Sequence, residues 1–597
     1  MSPIDMQMEE ALRYHRAGEL TRANKIYAAI LEAAPDHPDA LHLSGVIAHQ
    51  TGRQDAAVQL IKRAIAMDPK EASFYVNLGN ALMEQGHLDE AIGCYGRAHQ
   101  MAPDSAELCF NLGNAHRTQG NLVEAADWYQ KALNMAPAFH DAHNNLAAVW
   151  IAMGEFKAAI RCCRKMVELR PDDADTYVHM GAALKGDGKK DAAAACYQKA
   201  IHLKPDAPEP YFSLGNLLHE QGRLEAAVEM YQEAISLKPD YIDAIDNLGK
   251  TRRDLGMLSE AMSCYERSLQ LNPGNVETRF DMATLHLLQG DFADGWIGYE
   301  WRFKRENWKS VYPYPFDIPR WQGEPFTGKR LLVHSEQGLG DSLQFVRYLP
   351  MVKERGGEVV FETVGPLMNL FRGLEGVDRL IEGPAYTNQS MHFHFYVPLL
   401  SLPGVFGTRM ETIPSKTPYI YPDSQKIRIW EQRLADKKGF RIGLVWAGKA
   451  SDRRRSCPLI EMAPLLQVAG VVFLGLQRGE ASEEVTRLPD SMAFENIGEL
   501  FEDFSDTAAA IEHLDLVISI DTSVAHLAGA MNKPVWVPLI KSPDWRWFMD
   551  RDDSPWYPTM RLFRQTRAGQ WDRPVRQLKE ALSAWIRVLR SQGDGRF

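Results

Sequence analysis

Over roughly its first three hundred residues the chain alternates apolar stripes of helical spacing with short polar breaks, and the breaks recur at one interval. Pro35, Pro69, Pro103, Pro137, Pro171, Pro205, Pro239 and Pro273 stand 34 residues apart. Gly18, Gly52, Gly86, Gly120, Gly154, Gly188, Gly222, Gly256 and Gly290 keep the same period. Five residues after each glycine comes an alanine, from Ala23 to Ala261, and in the last case Gly295. Four residues further on tyrosine dominates, as at Tyr95, Tyr129, Tyr197, Tyr231, Tyr265 and Tyr299. These spacings predict pairs of antiparallel helices. Glycine makes the tight turn, alanine lets the two axes approach, tyrosine fills the groove between neighbouring repeats, and proline stops the second helix. Nine units are expected between about residues 4 and 309, the last without its proline, stacked as a superhelix with a concave inner face.

Beyond Tyr299 the pattern changes. GWIGYEWRFKRENWKSVYPYPFDIPRWQGEPFTGK, rich in aromatics, proline and glycine, predicts a packed connector. Strand-length apolar runs then alternate with helical ones. The strand runs RLLVHS, EVVFETV and FHFYVPL accompany the helical DSLQFVRYLPMVKERG and PLMNLFRGL. A second set follows, with strands RIGLVWAG, VVFLGLQ, DLVISID and PVWVPL between helical LIEMAPLLQVA, SDTAAAIEHL and SVAHLAGAM. Such alternation predicts parallel sheets with right-handed crossovers. The expected fold is therefore an α-helical superhelix followed by two Rossmann-like α/β domains that face a cleft. Boundaries are expected at 1–309 for the repeats, 310–328 for the connector, 329–424 for the first α/β domain and 425–597 for the second. A helix near 571–590 should close the structure.

Composition narrows the class. A chain of 597 residues exceeds what one core supports, and 45% hydrophobic with 24% charged residues is ordinary for a soluble globular protein. The net charge of −11 argues against nucleic acid or an anionic membrane as partner. No apolar run approaches the ~20 residues of a membrane helix, and the acidic start MSPIDMQMEEALRYH is unlike a secretory signal. A cytoplasmic location is expected. The seven cysteines include no C-x-x-C pair. Cys94, Cys162, Cys196 and Cys264 share one register of the repeat, as small buried side chains would, rather than disulfide partners or metal ligands.

Candidate chemistry collects after the strands. DTSVAHLAGA, residues 521–530, follows LVISI directly. Thr522 or Ser523 would cap a helix there, leaving backbone N–H groups to face an anion beside Asp521, with His526 one turn in. In EQGLGDSLQFVRYLP, Gly338 and Gly340 bracket a turn that presents Asp341. A carboxylate is ionised at neutral pH and can accept a hydroxyl proton; the plainer role is a helix cap. GKASDRRRSCP follows RIGLVWA and so overhangs the cleft, where Arg455 or Lys449 offers a cation to a phosphate. Gln477, ending VVFLGLQ, is a candidate nucleotide contact. In the repeats, Asn77, Asn111, Asn145 and Asn247 lie eight residues after successive prolines, interrupted by His179 and Ser213. Amides there can pair with the backbone of an extended peptide, or simply solvate a concave face. Asp550-Arg551-Asp552 has the D-x-D form of a metal site but follows PDWRWFM rather than a strand. His392 and His394 should alternate on one strand face without a third zinc ligand.

The 34-residue period resembles the tetratricopeptide repeat, in which the first helix of each pair lines the groove. The asparagine ladder resembles that of protein O-linked N-acetylglucosamine transferases. Residues 521–530 resemble the D-T-G-x-x-H-L-x-x-A signature of heptosyltransferase-like glycosyltransferases, whose helix end holds the donor diphosphate. Ser523 stands where that family has glycine, which leaves less room beside the phosphate. Gly340-Asp341 match the family's G-D pair, which supplies the catalytic base. EQGLGDSLQFVRYLP is similar to bacterial proteins that fuse tetratricopeptide repeats to such a transferase, some of which glycosylate flagellin. The resemblance implies a GT-B fold and an inverting transferase that needs neither metal nor cofactor, with a nucleotide sugar as co-substrate. It implies Asp341 as base, and Thr522, Ser523, His526, Asp521, Arg455, Lys449, Gln477, Gly338 and Gly340 around the donor. The acceptor would be Ser or Thr of a protein docked on the repeats, flagellin among the candidates, and a nonulosonic-acid donor is compatible. The rival readings are a non-catalytic repeat adaptor with a decayed transferase domain and a glycosyltransferase for glycolipid or cell-surface glycan.

Overall fold

The structure is a computed structural model that describes residues 2–306, 316–336, 338–383, 391–449, 453–489, 492 and 494–591. It divides into two compact units, residues 1–217 with 236–238, and residues 218–235 with 239–597.

Among the described residues eighteen helices, from Pro3–Arg16 to Phe292–Tyr299, form the repeats. All nine periodic glycines have φ between 74° and 87°, the left-handed region in which a side chain is strained, so the tight turn is the reason for their period. The alanines from Ala23 to Ala261 have no exposed surface. Pro35 lies two residues past the helix Leu20–Ala33, as a helix stop should. The tyrosines serve both levels of packing. Tyr95, Tyr129, Tyr197 and Tyr265 pack on a glycine of their own pair's first helix, while Tyr129 and Tyr231 also bond to Asn145 and Thr251 of the next repeat. A methyl group on Gly79, Gly113, Gly181 or Gly249 would come within 2.5–2.6 Å of the ring. The hydroxyls of Tyr95 and Tyr129 donate to Asn80 and Asn114 at 2.7 Å, which orients the rings inside the pair.

The second unit carries the later repeats and two all-parallel sheets. The first contains β1 (Arg330–His334), β2 (Glu358–Thr363), β3 (Arg379–Glu382) and β4 (Phe395–Pro398) in the order β3-β2-β1-β4. The second contains β5 (Phe440–Val445), β6 (Val471–Gly475), β7 (Glu495–Asn496), β8 (Leu516–Ser519), β9 (Val535–Leu539) and β10 (Met560–Arg564) in the order β10-β9-β8-β5-β6-β7. Leu331, Leu332 and Val333 are fully buried, as strands covered on both faces require. Strand order reverses between β1 and β4 and between β5 and β8, and crevices open at such points. β3, β7 and β10 were not legible as apolar runs; β3 and β7 are short, and β10 carries Arg561 and Arg564.

The helix expected over 341–356 is broken into Leu339–Phe345, a 3-10 turn at Val346–Tyr348, and Leu349–Lys353 with Pro350 at its start. His392 and His394 precede β4 instead of alternating on it, and His394 Nδ1 accepts the Arg330 N–H at 3.1 Å. The closing helix is Asp572–Ser591, with Leu578, Leu582 and Ile586 buried. Residues 307–315 of the connector lie outside the described residues; its later part buries Trp321 and Phe326. One apolar core runs from Tyr265 and Trp296 of the last repeats through β1 to Trp556. Arg302, fully buried past the last repeat helix, grips Glu336 in the turn after β1, with Nε and Nη2 at 3.1 and 3.0 Å from its two oxygens. All seven cysteines are free thiols; Cys264 is buried, while Cys94, Cys162 and Cys196 are half-buried. No described helix is long and apolar enough to cross a membrane.

Candidate functional site

At the carboxyl ends of the central strands lies a cavity of about 610 Å³. Gly338, Gly340, Asp341, Lys449, Arg455, Gln477, Asp521, Thr522, Ser523 and His526 all line it. The asparagines of the repeats do not.

Asp341 is the third residue of the helix Leu339–Phe345. Its Oδ2 accepts the Gly338 N–H at 2.9 Å, so it does cap the helix, while Oδ1 receives Nη2 of Arg546. The cap and the cleft-facing acid are thus the same side chain. Burial pushes the Asp341 carboxyl up from its ordinary value; the Arg546 guanidinium opposes this and Asp544 adds to it. No motif marks Arg546 in the tryptophan-rich stretch PDWRWFM. The signal available was positional, since that loop follows the carboxyl end of β9. Asp544 caps the turn Trp545–Trp547, and Phe548 after it holds a left-handed φ of 53°, a strained conformation for a bulky residue.

The helix Ser523–Ala530 starts directly after β8. Thr522 occupies the cap position with extended backbone, but its hydroxyl pairs with Ser519 Oγ at 2.9 Å instead of with a helix N–H. Ser523 is already the first helical residue. The expected side-chain cap is therefore absent among the described residues, because the Ser519 hydroxyl at the end of β8 is the nearer partner. The Ala525 and His526 N–H groups turn back to the Thr522 carbonyl at 3.1 and 3.4 Å, whereas those of Ser523 and Val524 have no helical partner and open on the cavity. Asp521 Oδ2 accepts Arg455 Nη1 at 3.2 Å, which draws that arginine over the helix start.

His526 is buried, with Nδ1 2.9 Å from the Tyr557 hydroxyl and its ring stacked on Trp547 at 5.2 Å between centroids. Burial, reinforced by Arg546, Arg347 and Arg455, holds its pKa well below the usual histidine range, so the ring is neutral. A methyl group on Gly340 would lie 2.9 Å from His526 Cδ2 and 3.5 Å from Ser523 Cα. Glycine at 340 is what lets the two helix starts meet.

On the loop after β5, residues 450–452 lie outside the described residues, Arg453–Arg455 form a 3-10 turn, and Lys449 is exposed. Gln477 has a bracing role in addition to its place in the cavity lining. Its Oε1 accepts the N–H groups of Trp446 and Ala447 at 3.3 and 2.9 Å, and Nε2 donates to the Arg478 carbonyl at 3.1 Å. Its amide braces the loop from the cavity wall, with one of the two Nε2 hydrogens used in that brace.

The asparagine ladder is also partly occupied. Asn77 Nδ2 lies 2.8 Å from His42 Nε2, and Asn145 Nδ2 donates to Asn114 Oδ1 at 2.8 Å. Those two rungs tie neighbouring repeats together, since a half-buried amide takes the nearest side-chain partner; Asn111 is half-buried and Asn247 accepts Thr251 on its carbonyl. Asp552 lines a different groove with Arg561 and Trp585, and Arg551 pairs with Asp553 at 2.6 and 2.8 Å. Among the described residues the one cluster of three potential metal ligands is His286, Asp291 and Asp294, where Asp291 caps a repeat helix and meets His286 at 2.8 Å.

Tetratricopeptide-repeat family models match residues 8–72, 76–138, 187–252 and 242–275, with a further model on 48–97 and 116–184. The model described as glycosyltransferase family 9 (heptosyltransferase) matches residues 460–537, which hold β6 to β8, most of β9 and the Ser523 helix. The chain carries tetratricopeptide repeats and a family 9 glycosyltransferase region. Asp341 and Arg455 lie outside the latter match. Protein FlbA of Caulobacter vibrioides is 28% identical over 330 residues, 51% of this chain and 54% of FlbA, so the chain spans about half the length of that relative. Among solved structures, a tetratricopeptide repeat protein from Parabacteroides merdae is 18% identical and covers 42% of this chain and 98% of its own, with a TM-score of 0.35. YrrB, described as a TPR protein with an unusual peptide-binding site, is 24% identical and covers 32% and 97%, with a TM-score of 0.27.

Proposed function

We propose that the chain is an inverting, metal-independent glycosyltransferase that moves a sugar from a nucleotide sugar to a Ser or Thr hydroxyl of a protein held by its repeats. The observation that carries this is one cavity in which a carboxylate, Asp341, shares space with an uncapped helix start and the cation of Arg455. In this account residues 329–424 and 425–597 are the halves of a GT-B enzyme, 310–328 connects them to the repeats, and the repeats, 1–309, bind the acceptor. Asp341 takes the proton of the acceptor hydroxyl while its oxygen attacks the anomeric carbon from the face opposite the donor phosphate. The bond from that carbon to the phosphate oxygen breaks, and the departing charge meets the Ser523 and Val524 N–H groups, Arg455 and Lys449. Neutral His526 contributes a hydrogen bond rather than a charge, and in the tautomer whose Nδ1 accepts from the Tyr557 hydroxyl its Nε2–H is the donor. The Ser523 side chain narrows the phosphate pocket, and Asp521 keeps Arg455 in place.

The family 9 match supports glycosyl transfer, and the repeats support protein binding. Flagellin is the first acceptor to try, on the resemblance noted above. The test is intact-mass analysis of candidate acceptors from cells with and without the gene, combined with a chain lacking residues 1–205. That cut keeps the second compact unit whole, including Asp254, which reaches Ser542 at 3.5 Å. The shortened chain should retain slow donor hydrolysis and lose protein modification. Full acceptor modification by it would refute the docking role and favour a lipid or free-glycan acceptor.

A further inference from the structure

Arg546 is buried at the cavity wall, and all three of its nitrogens have partners. Nε donates to Gln344 Oε1 at 2.7 Å, Nη1 to Asp544 Oδ1 at 2.7 Å, and Nη2 to Asp341 Oδ1. The guanidinium lies over Trp545, 4.4 Å from the ring centroid, with Phe345 at 5.5 Å. Asp341 and Gln344 are three residues apart and so share one helix face, which this arginine grips from a loop of the other sheet. A guanidinium is a rigid planar fork, so three simultaneous bonds fix the carboxylate as well as the arginine. Turning the Asp341 carboxyl would break both the Arg546 contact and the 2.9 Å bond from Gly338. Each oxygen still has a lone pair for an incoming hydroxyl.

We propose that Arg546 is a positioning residue for the transfer reaction: it clamps the Asp341 carboxylate toward the cavity and supplies the positive charge that lets a buried acid serve as a base. What Asp341 does here rests on the glycosyltransferase function proposed above; the clamp itself is a property of the folded chain. The charged and titratable groups facing Asp341 are Arg546 and Arg455, which favour its ionised form, and Asp544, which opposes it. The buried Tyr299 hydroxyl and neutral His526 complete the surroundings, and Asp521 is taken up by Arg455. With Arg546 gone, burial and Asp544 both favour the protonated acid, which cannot accept a proton.

The test uses the full chain with ¹³C-carboxyl aspartate, the Asp341 signal being identified by its loss in Asp341→Asn. Arg546→Met should raise the Asp341 titration midpoint by about 1 to 3 pH units, and Arg546→Lys should restore part of it. Asp544→Asn, at a more exposed position, should lower the midpoint and keeps the test decisive if Arg546→Met does not fold. A midpoint unmoved in both Arg546→Met and Asp544→Asn overturns the clamp, even where sugar transfer is observed. In transfer assays followed by intact mass, Arg546→Met should be weak at pH 7 and recover as pH rises. An unchanged acid limb would mean a merely structural arginine and would likewise overturn the proposal. If instead the midpoint moves but no wild-type preparation modifies any acceptor, the clamp stands and the glycosyltransferase function falls.

Discussion

Replacing Arg302 with Met should cost the second compact unit about 3–5 kcal/mol at pH 7. Methionine fills much of the vacated space, so the loss comes from charge rather than from a cavity. Arg302 has no exposed surface and, besides Glu336, reaches Ser401 Oγ at 2.6 Å, the Tyr299 carbonyl at 3.2 Å and Glu300 at 2.9 Å. Without it the Glu336 carboxylate, also unexposed, keeps one backbone bond, from Leu400 N–H at 3.1 Å. The acid can escape by taking up a proton. From an ordinary glutamate pKa of ~4.3 that costs about 1.4 kcal/mol per pH unit, or about 3.7 kcal/mol at pH 7. Both routes give the same size of penalty, and the second predicts that it shrinks to roughly 1 kcal/mol at pH 5. Urea unfolding followed by tryptophan fluorescence suits the measurement, because twelve of the fourteen tryptophans lie beyond residue 239. The pair Arg302→Met with Glu336→Met should recover most of the loss, since an apolar pair replaces a buried ion pair at little cost. A single variant within about 1 kcal/mol of wild type at pH 7, or a double variant no better than the single, would refute this reasoning.

Asp341→Asn should fold, since the amide can still accept from Gly338, yet lose at least ~10²-fold in transfer with donor binding nearly intact; near-normal turnover would leave Asp341 only a helix cap. His526→Ala and Arg455→Ala should each weaken nucleotide binding by about 1.5–3 kcal/mol in calorimetry, and unchanged affinity in both would count against the phosphate site. EDTA should leave transfer unaffected, and a strict metal requirement would reopen the role of Asp550 and Asp552. Burial holds His334 down to about 3. The folded chain therefore refuses a proton that the unfolded chain takes below pH ~6.5, and stability should fall with acidification by up to about 1.4 kcal/mol per pH unit from this residue. His334→Phe should show a shallower fall between pH 6.5 and 4, and equal slopes would sink the assignment.

The repeats were legible residue by residue because their determinants are local. A left-handed turn needs glycine, close axes need alanine, and each requirement returns every 34 residues. The two strand sets were legible because a strand buried on both faces must be an unbroken apolar run, as in RLLVHS. The cavity was legible in outline for a related reason: parallel strands deliver their following turns to one edge, so DTSVAHLAGA, GKASDRRRSCP and the Asp341 turn had to come near one another. Tertiary structure alone decided which side chains serve one another. Arg546 meets Asp341 across 205 residues of chain and Gln344 across 202. Thr522 chooses Ser519 over the helix, Gln477 braces Trp446, Asn77 turns to His42, and Tyr95, Tyr129, Tyr197 and Tyr265 sit on a glycine of their own repeat. Spacing along a chain constrains backbone conformation over a few residues. The partner of a buried polar group is set by whichever segments the finished core brings within three ångströms, and a local pattern carries no record of that.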